Sequence, residues 1–287
     1  MRSRVTDRAI ENERVEFRPI EPLTQRGLRR WLAAISTAQI AVVYLVAIAC
    51  AEVITALINP TLGVVSHVLI LSCLLVHAGM ARTSWDRALF LSLAIGPVIR
   101  IVSLGMPLGQ FPQIWWYALT CVPLYAVSFA LMRSLPLTRR QVAVQLPRLR
   151  DWPVSLLVAA SGVGLGWIEY HILHQAPLVP SLTFAALAVP VAILMIGTGG
   201  IEELIFRGIL QSTSEEVFGR WPGIVYVSLL FAVLHTGHMS GVDVIFVFGV
   251  ALYFAAVVYW TRSLVGVALS HGITNVMLFL VFPLLLR

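Results

Sequence analysis

The chain has 287 residues, of which 59% are apolar and only 12% charged, and its mean hydropathy is +0.87. Soluble domains carry about 25% charged residues and at most about 50% apolar ones. The composition therefore excludes a soluble globular enzyme, a disordered chain and a nucleic-acid binder, and leaves a polytopic membrane protein whose spans each need about 20 apolar residues. The net charge of +6 (20 basic against 14 acidic residues) then reports orientation in the bilayer rather than a nucleic-acid partner.

All 20 basic residues are arginine, which excludes Schiff-base chemistry and Ser–Lys proteolysis, since both need a lysine amine. Cys50, Cys73 and Cys121 lie in apolar runs, match no metal-ligand spacing and read as small buried hydrophobes.

In chain order, residues 1–30 are polar and read as a cytoplasmic tail. They lack the short apolar core and cleavage site of a signal peptide. Apolar runs follow at 31–58, 64–80, 88–104, 114–132, 154–172, 182–195 continuing into 201–210, 223–235, 242–260 and 264–285. The expected fold is an all-α transmembrane bundle of eight or nine helices. Gly197-Thr198-Gly199-Gly200 predicts a kink or break, and 211–221 reads as a polar turn. In the fifth run Gly162, Gly164 and Gly166 offer a small-residue packing face. The loop at 133–152, with Pro136 and Pro147, divides an N-terminal transmembrane half (31–152) from a C-terminal half (153–287).

Arginines populate alternate loops: Arg82 and Arg87; Arg133, Arg139, Arg140, Arg148 and Arg150; Arg220; and Arg262. The intervening loops at 59–63, 105–113 and 173–181 have none. The positive-inside rule then places the N-terminus in the cytoplasm. Arg100 and the terminal Arg287 do not fit this pattern.

Charge inside a span costs about 2.5–3.5 kcal/mol on insertion scales, so each instance is a candidate functional group. Glu52 is expected to reach the interface from the end of the first helix. Glu169, His171 and His174 lie at the end of the fifth, where the two histidines are at best a weak metal pair. The dense cluster is Glu202-Glu203-Leu204-Ile205-Phe206-Arg207. Adjacent helical residues diverge by about 100°, so Glu203 can pair with Arg207 at i,i+4 while Glu202 faces elsewhere, free to act as a general base. An interfacial Glu–Arg pair is the bland alternative.

With the hairpin tip at Phe218, Glu202 and His235 both lie about 24 Å up adjacent antiparallel helices, at matching height. A Glu–His pair can deprotonate water. In the last helix His271 and Asn275, again i,i+4, present two donors able to hold an oxyanion.

Three motifs now stand in order: Glu202-Glu203-x-x-Phe206-Arg207, Phe231-x-x-x-His235 and His271-x-x-x-Asn275, with Gly208 after Arg207 and Ser270 before His271. Within 180–280 the sequence resembles the type II CaaX prenyl endopeptidases (CPBP or Abi proteins), a family of glutamic intramembrane proteases, and looks like a bacterial-type member. The resemblance implies that Glu202 and His235 activate water, that His271 and Asn275 form the oxyanion hole, and that Glu203, Arg207 and Phe231 support the site. It further implies hydrolysis of a peptide bond in a membrane-associated protein or peptide, without a covalent intermediate or a cofactor, in the bacterial cell membrane. Substrate identity, any requirement for prenylation and oligomeric state are not legible.

Three other readings use the same polar cavity. A zinc-dependent protease could use Glu202 and the two histidines as ligands, but there is no HExxH. A transporter would explain intramembrane charge, but no inverted repeat is seen. A non-catalytic scaffold or immunity protein would keep the site without turnover. Rhomboid-type chemistry lacks its motif, because Ser240 stands in His238-Met239-Ser240-Gly241 without a leading glycine. Presenilin-type chemistry lacks its GxGD around Asp243.

Overall fold

The computed structural model describes residues 36–286 apart from residue 136; the polar segment 1–30, the start of the first run and Arg287 lie outside the described residues. Among these the chain is all-helical: α1 (Thr37–Ile58), α2 (Pro60–Met80), α3 (Ser84–Gly105), α4 (Gln113–Ser134), α5 (Leu149–Leu173), α6 (Phe184–Phe218), α7 (Arg220–Val233), α8 (Gly241–Thr261) and α9 (Val265–Leu285). All except α7 are long and apolar enough to cross a bilayer. Their outer faces carry exposed Val43, Leu69, Val76, Val122, Phe129, Ile245 and Trp260. So much bare apolar surface suits lipid as the solvent, and the chain is an integral membrane protein. Cys50 and Cys73 belong to this exposed surface, not to the core expected for them.

Helix starts follow local chemistry. Asn59 caps α2, its Oδ1 accepting from the backbone N–H groups of Thr61 (2.8 Å) and Leu62 (3.1 Å), with Pro60 at the first position. Thr83 caps α3 through the Asp86 N–H (3.0 Å), and Ser240 caps α8 through the Asp243 N–H (3.2 Å). Each side-chain oxygen satisfies a donor that the first helical turn leaves open.

Around α6 one sequence expectation is narrowed and one corrected. Of the kink or break expected at the glycine-rich stretch, the break is not made; Met195–Gly200 winds as a π-helical turn inside a continuous element of 35 residues. The reason is packing. A Cβ on Gly199 would stand 2.6 Å from the Ala268 carbonyl oxygen and 2.6 Å from the Gly272 nitrogen, so its absence lets α6 touch α9. The expected polar turn at 211–221 is also helical through Phe218, and the reversal is confined to Gly219 (φ 82°). Only glycine adopts that geometry without strain.

At about 21 Å long, the 14-residue α7 is too short to span the hydrocarbon. It is instead an inner helix, with Tyr226, Val227, Leu230 and Phe231 buried, and it ends before His235.

Helix α5 packs on α9 through Gly162, against the Ser270 carbonyl, and Gly166, against the Thr274 carbonyl; Gly164 meets nothing and is not part of this face. Residues two apart on a helix are rotated by about 200°, so the third glycine points away. The apolar core is built from α1–α4 against α6, α7 and α8, with a second cluster joining α4, α6 and α9. Between these lies the polar site.

Candidate active site

Glu203 is fully buried, and its Oε1 accepts from Arg207 Nη1 at 3.0 Å and lies 2.7 Å from His271 Nδ1. The i,i+4 pairing read from the sequence is thus made, with His271 as a second partner. The guanidinium of Arg207 lies 4.3 Å from the centre of the Phe231 ring, a cation–π contact that desolvation strengthens. Phe231 also meets the Phe206 ring edge-on at 4.7 Å and the His235 ring at 4.6 Å. It fixes the distance between α6 and the end of α7.

Glu202 points another way, its side chain 28% exposed and its Oε2 3.8 Å from His271 Nε2. A second π-helical turn, Leu204–Leu210, follows directly. Two such turns therefore bracket the two glutamates, and π-bulges gather at functional sites.

His235 lies just past the end of α7, with Nδ1 2.9 Å from the Phe231 carbonyl oxygen. That contact requires the proton on Nδ1, which leaves Nε2 as the acceptor nitrogen. The spacing Phe231-x-x-x-His235 is the i,i+4 relation that this bond needs.

Asn275 Nδ2 donates to Thr198 Oγ1 at 2.8 Å. Thr198 lies in the first π-helical turn and was not singled out by sequence reasoning, because a threonine in an apolar helix carries no motif signal.

Glu202, His235, His271 and Asn275 line one cavity of about 680 Å³, its open mouth included, together with Glu169, Thr198, His238 and the aromatic rings of Phe231, Phe254 and Phe279. Glu203 and Arg207 stand behind it. A second cavity of about 880 Å³ reaches Glu202, Phe231 and His235 from the side of α3 and α4. The carboxylate and imidazole are thus accessible from two directions.

The N-terminal half holds the end of α7. Arg100 donates from Nε to both oxygens of Glu52 (2.6 and 2.8 Å) and from Nη2 to the Leu234 carbonyl, one residue before His235. His67 Nε2 lies 3.3 Å from Glu52. Glu52 is buried, so it does not reach the interface as expected, and its partner accounts for the misplaced Arg100. His238, also in the cavity lining, has Nδ1 2.9 Å from Asp243 Oδ2. That hydrogen bond raises the imidazole above its ordinary pKa. His171, by contrast, turns back to the Trp167 carbonyl and takes no part in the cavity.

These features define a polytopic membrane protein with a carboxylate- and histidine-lined cavity enclosed by its helices. Residues 183–277 match the family model described as Type II CAAX prenyl endopeptidase Rce1-like. That segment, about a third of the chain, contains all eight named residues of the three motifs discussed above, and through it the chain is similar to this family. The match indicates a protease at the family level only. No curated protein and no solved structure gives a significant match.

Proposed function

We propose that the chain is an intramembrane endopeptidase that cleaves a membrane-associated protein or peptide by direct attack of water. The observation that carries this reading is that Glu202, His235, His271 and Asn275 line one cavity. Glu202, which lacks the arginine that holds Glu203, takes a proton from a water molecule. His235 Nε2 accepts a hydrogen bond from the same water and aims it. The hydroxide attacks the scissile carbonyl carbon, and the negative charge moves to the carbonyl oxygen.

Asn275 Nδ2 and, in the imidazolium form, His271 Nε2–H are the donors available to that oxyanion. Collapse of the intermediate breaks the C–N bond, and the proton held by Glu202 passes to the leaving amine. Glu203 and Arg207 keep His271 turned toward the cavity, and Phe231 spaces His235 from α6. The aromatic lining suits an apolar peptide, and the arginine distribution supports a cytoplasmic N-terminus.

The test compares membrane-derived peptides and proteins by mass spectrometry in cells carrying the wild-type chain and cells carrying Glu202→Gln. The variant removes one charge at nearly constant shape. Substrates should accumulate uncut at undiminished levels of the variant protein. Unchanged processing by Glu202→Gln would leave a binding scaffold as the better reading.

A further inference from the structure

The cavity lining also includes Glu169 and His238, which with Asp243 form a second constellation that the proposed hydrolysis does not use. Glu169 from α5, His238 from the short 3-10 turn between α7 and α8, and Asp243 from the first turn of α8 each bring one ligand-capable atom within 4.8 Å of the other two. Glu169 and Asp243 are buried. Asp243 Oδ1 is out of reach of solvent and has no hydrogen-bond partner among the described residues. Its place in Ser240-x-x-Asp243 would ordinarily return a bond to the backbone N–H of the cap, but no such bond is made. The carboxylate turns to His238 instead.

We propose that Glu169, His238 and Asp243 form a binding site for one divalent transition-metal cation, with Zn²⁺ the best fit. Two carboxylates side by side in a buried wall repel each other and are costly without a compensating cation. One divalent ion cancels both charges and satisfies Asp243 Oδ1. An imidazole in the ligand set favours zinc over magnesium or calcium, which prefer all-oxygen shells. Three protein ligands closing to about 2.0–2.2 Å leave a coordination position open toward the cavity.

This site is distinct from a zinc centre on Glu202, because its ligands come from α5, α8 and the turn before α8. Its consequence is mechanical: the ion ties α5 to the loop that carries His238, whose ring lies 5.6 Å from that of His235.

The test uses the full chain, purified in detergent with a histidine-free tag, stripped with chelator, exposed to a slight excess of ZnCl₂ and desalted. Metal content is read by mass spectrometry and thermal unfolding is followed with and without the ion. Wild type should retain one equivalent of zinc and melt at a higher temperature with it; MgCl₂ should do neither. Glu169→Gln and Asp243→Asn, close in shape to the native residues, should each lose the ion and the thermal shift. If one of the two fails to fold, the other decides.

Glu202→Gln and a His171→Ala/His174→Ala double variant should bind as wild type does. The proposal is overturned if wild type retains no zinc, or if zinc survives in both carboxylate variants. Loss of zinc in Glu202→Gln alone would also overturn it, and would put a metal on the catalytic glutamate, against the proposed hydrolysis as well.

Discussion

Nδ1 of His271 lies 2.7 Å from Oε1 of Glu203, a contact between helices 68 residues apart in sequence. The same oxygen receives Arg207, so one buried carboxylate orients a charged side chain on its own helix, α6, and an imidazole on α9. Glu203→Ala should therefore act mainly on stability. It leaves the Arg207 guanidinium buried and unpaired, a change that costs about 3–5 kcal/mol in comparable sites. Glu203→Gln keeps an acceptor for Arg207 or His271 and should cost less. Thermal unfolding in one detergent, compared with Glu202→Gln, checks this. Glu202→Gln should melt near wild type while losing activity, and the reverse ranking would exchange the roles assigned to the two glutamates.

Close approach of α6 and α9 is what brings Glu203 to His271, and it depends on Gly199. Gly199→Ala would set a methyl group 2.6 Å from backbone atoms of Ala268 and Gly272, which cannot yield as a side-chain tip can. Overpacking of this kind typically costs about 1–3 kcal/mol, and the separation it forces should disrupt the Glu203–His271 bond. Gly164→Ala is the matched control: it meets nothing within 4 Å and should be neutral or stabilising by up to about 1 kcal/mol from helix propensity. Melting temperatures and cleavage rates of the pair test both halves of the statement.

Arg100 acts on the site from the other half of the chain. Arg100→Ala should uncover the buried charge of Glu52 and release the Leu234 carbonyl that fixes the end of α7. The single variant should lose about 3–5 kcal/mol, and the double variant Glu52→Gln/Arg100→Gln less, because no lone charge then remains. Both should cleave more slowly than wild type through a displaced His235. Arg100→Lys cannot span two acceptors as the guanidinium fork does and should rescue stability more than activity. A double-mutant cycle on unfolding, with cleavage rates alongside, measures the separation.

What could be read from the sequence and what could not divide along a physical line. Glu203–Arg207, Phe231–His235 and the shared face of His271 and Asn275 are i,i+4 relations on single helices, and the 3.6-residue period makes such relations visible. Most long apolar runs were visible too, because lipid demands them, although the run at 223–235 forms the inner helix α7 and residues 211–218 extend α6. The hidden features cross between helices. Glu52 with Arg100 and Glu169 with Asp243 join residues far apart in sequence, and no periodicity records which helices become neighbours. Asp243 illustrates the gap: it fits no protease motif, and its neighbour Glu169 comes from α5, far away in sequence. The glycines misled for a related reason. Helix propensity predicted a kink or a break at Gly197–Gly200, and packing against α9 carries the helix through as a π-helical turn.

Thr198 offers the sharpest separation of positioning from chemistry. Its Oγ1 holds the Asn275 amide at 2.8 Å, and that amide is the proposed oxyanion donor. Asn275→Ala should lower kcat by about 10²–10³-fold, the usual cost of one such donor. Thr198→Val keeps the shape of the threonine and removes the acceptor, so the amide is retained but no longer aimed. A misplaced group costs up to about 10²-fold, so this variant should lose rate to a smaller extent than Asn275→Ala. Thr198→Ser restores the hydroxyl and should recover activity. In all three variants KM should change little, because an oxyanion donor acts chiefly in the transition state. Steady-state kinetics on a peptide found by the Glu202→Gln comparison decide the matter. A rise in KM at constant kcat in Thr198→Val would mean that Asn275 binds the ground-state substrate, and the oxyanion role would have to pass to His271 alone.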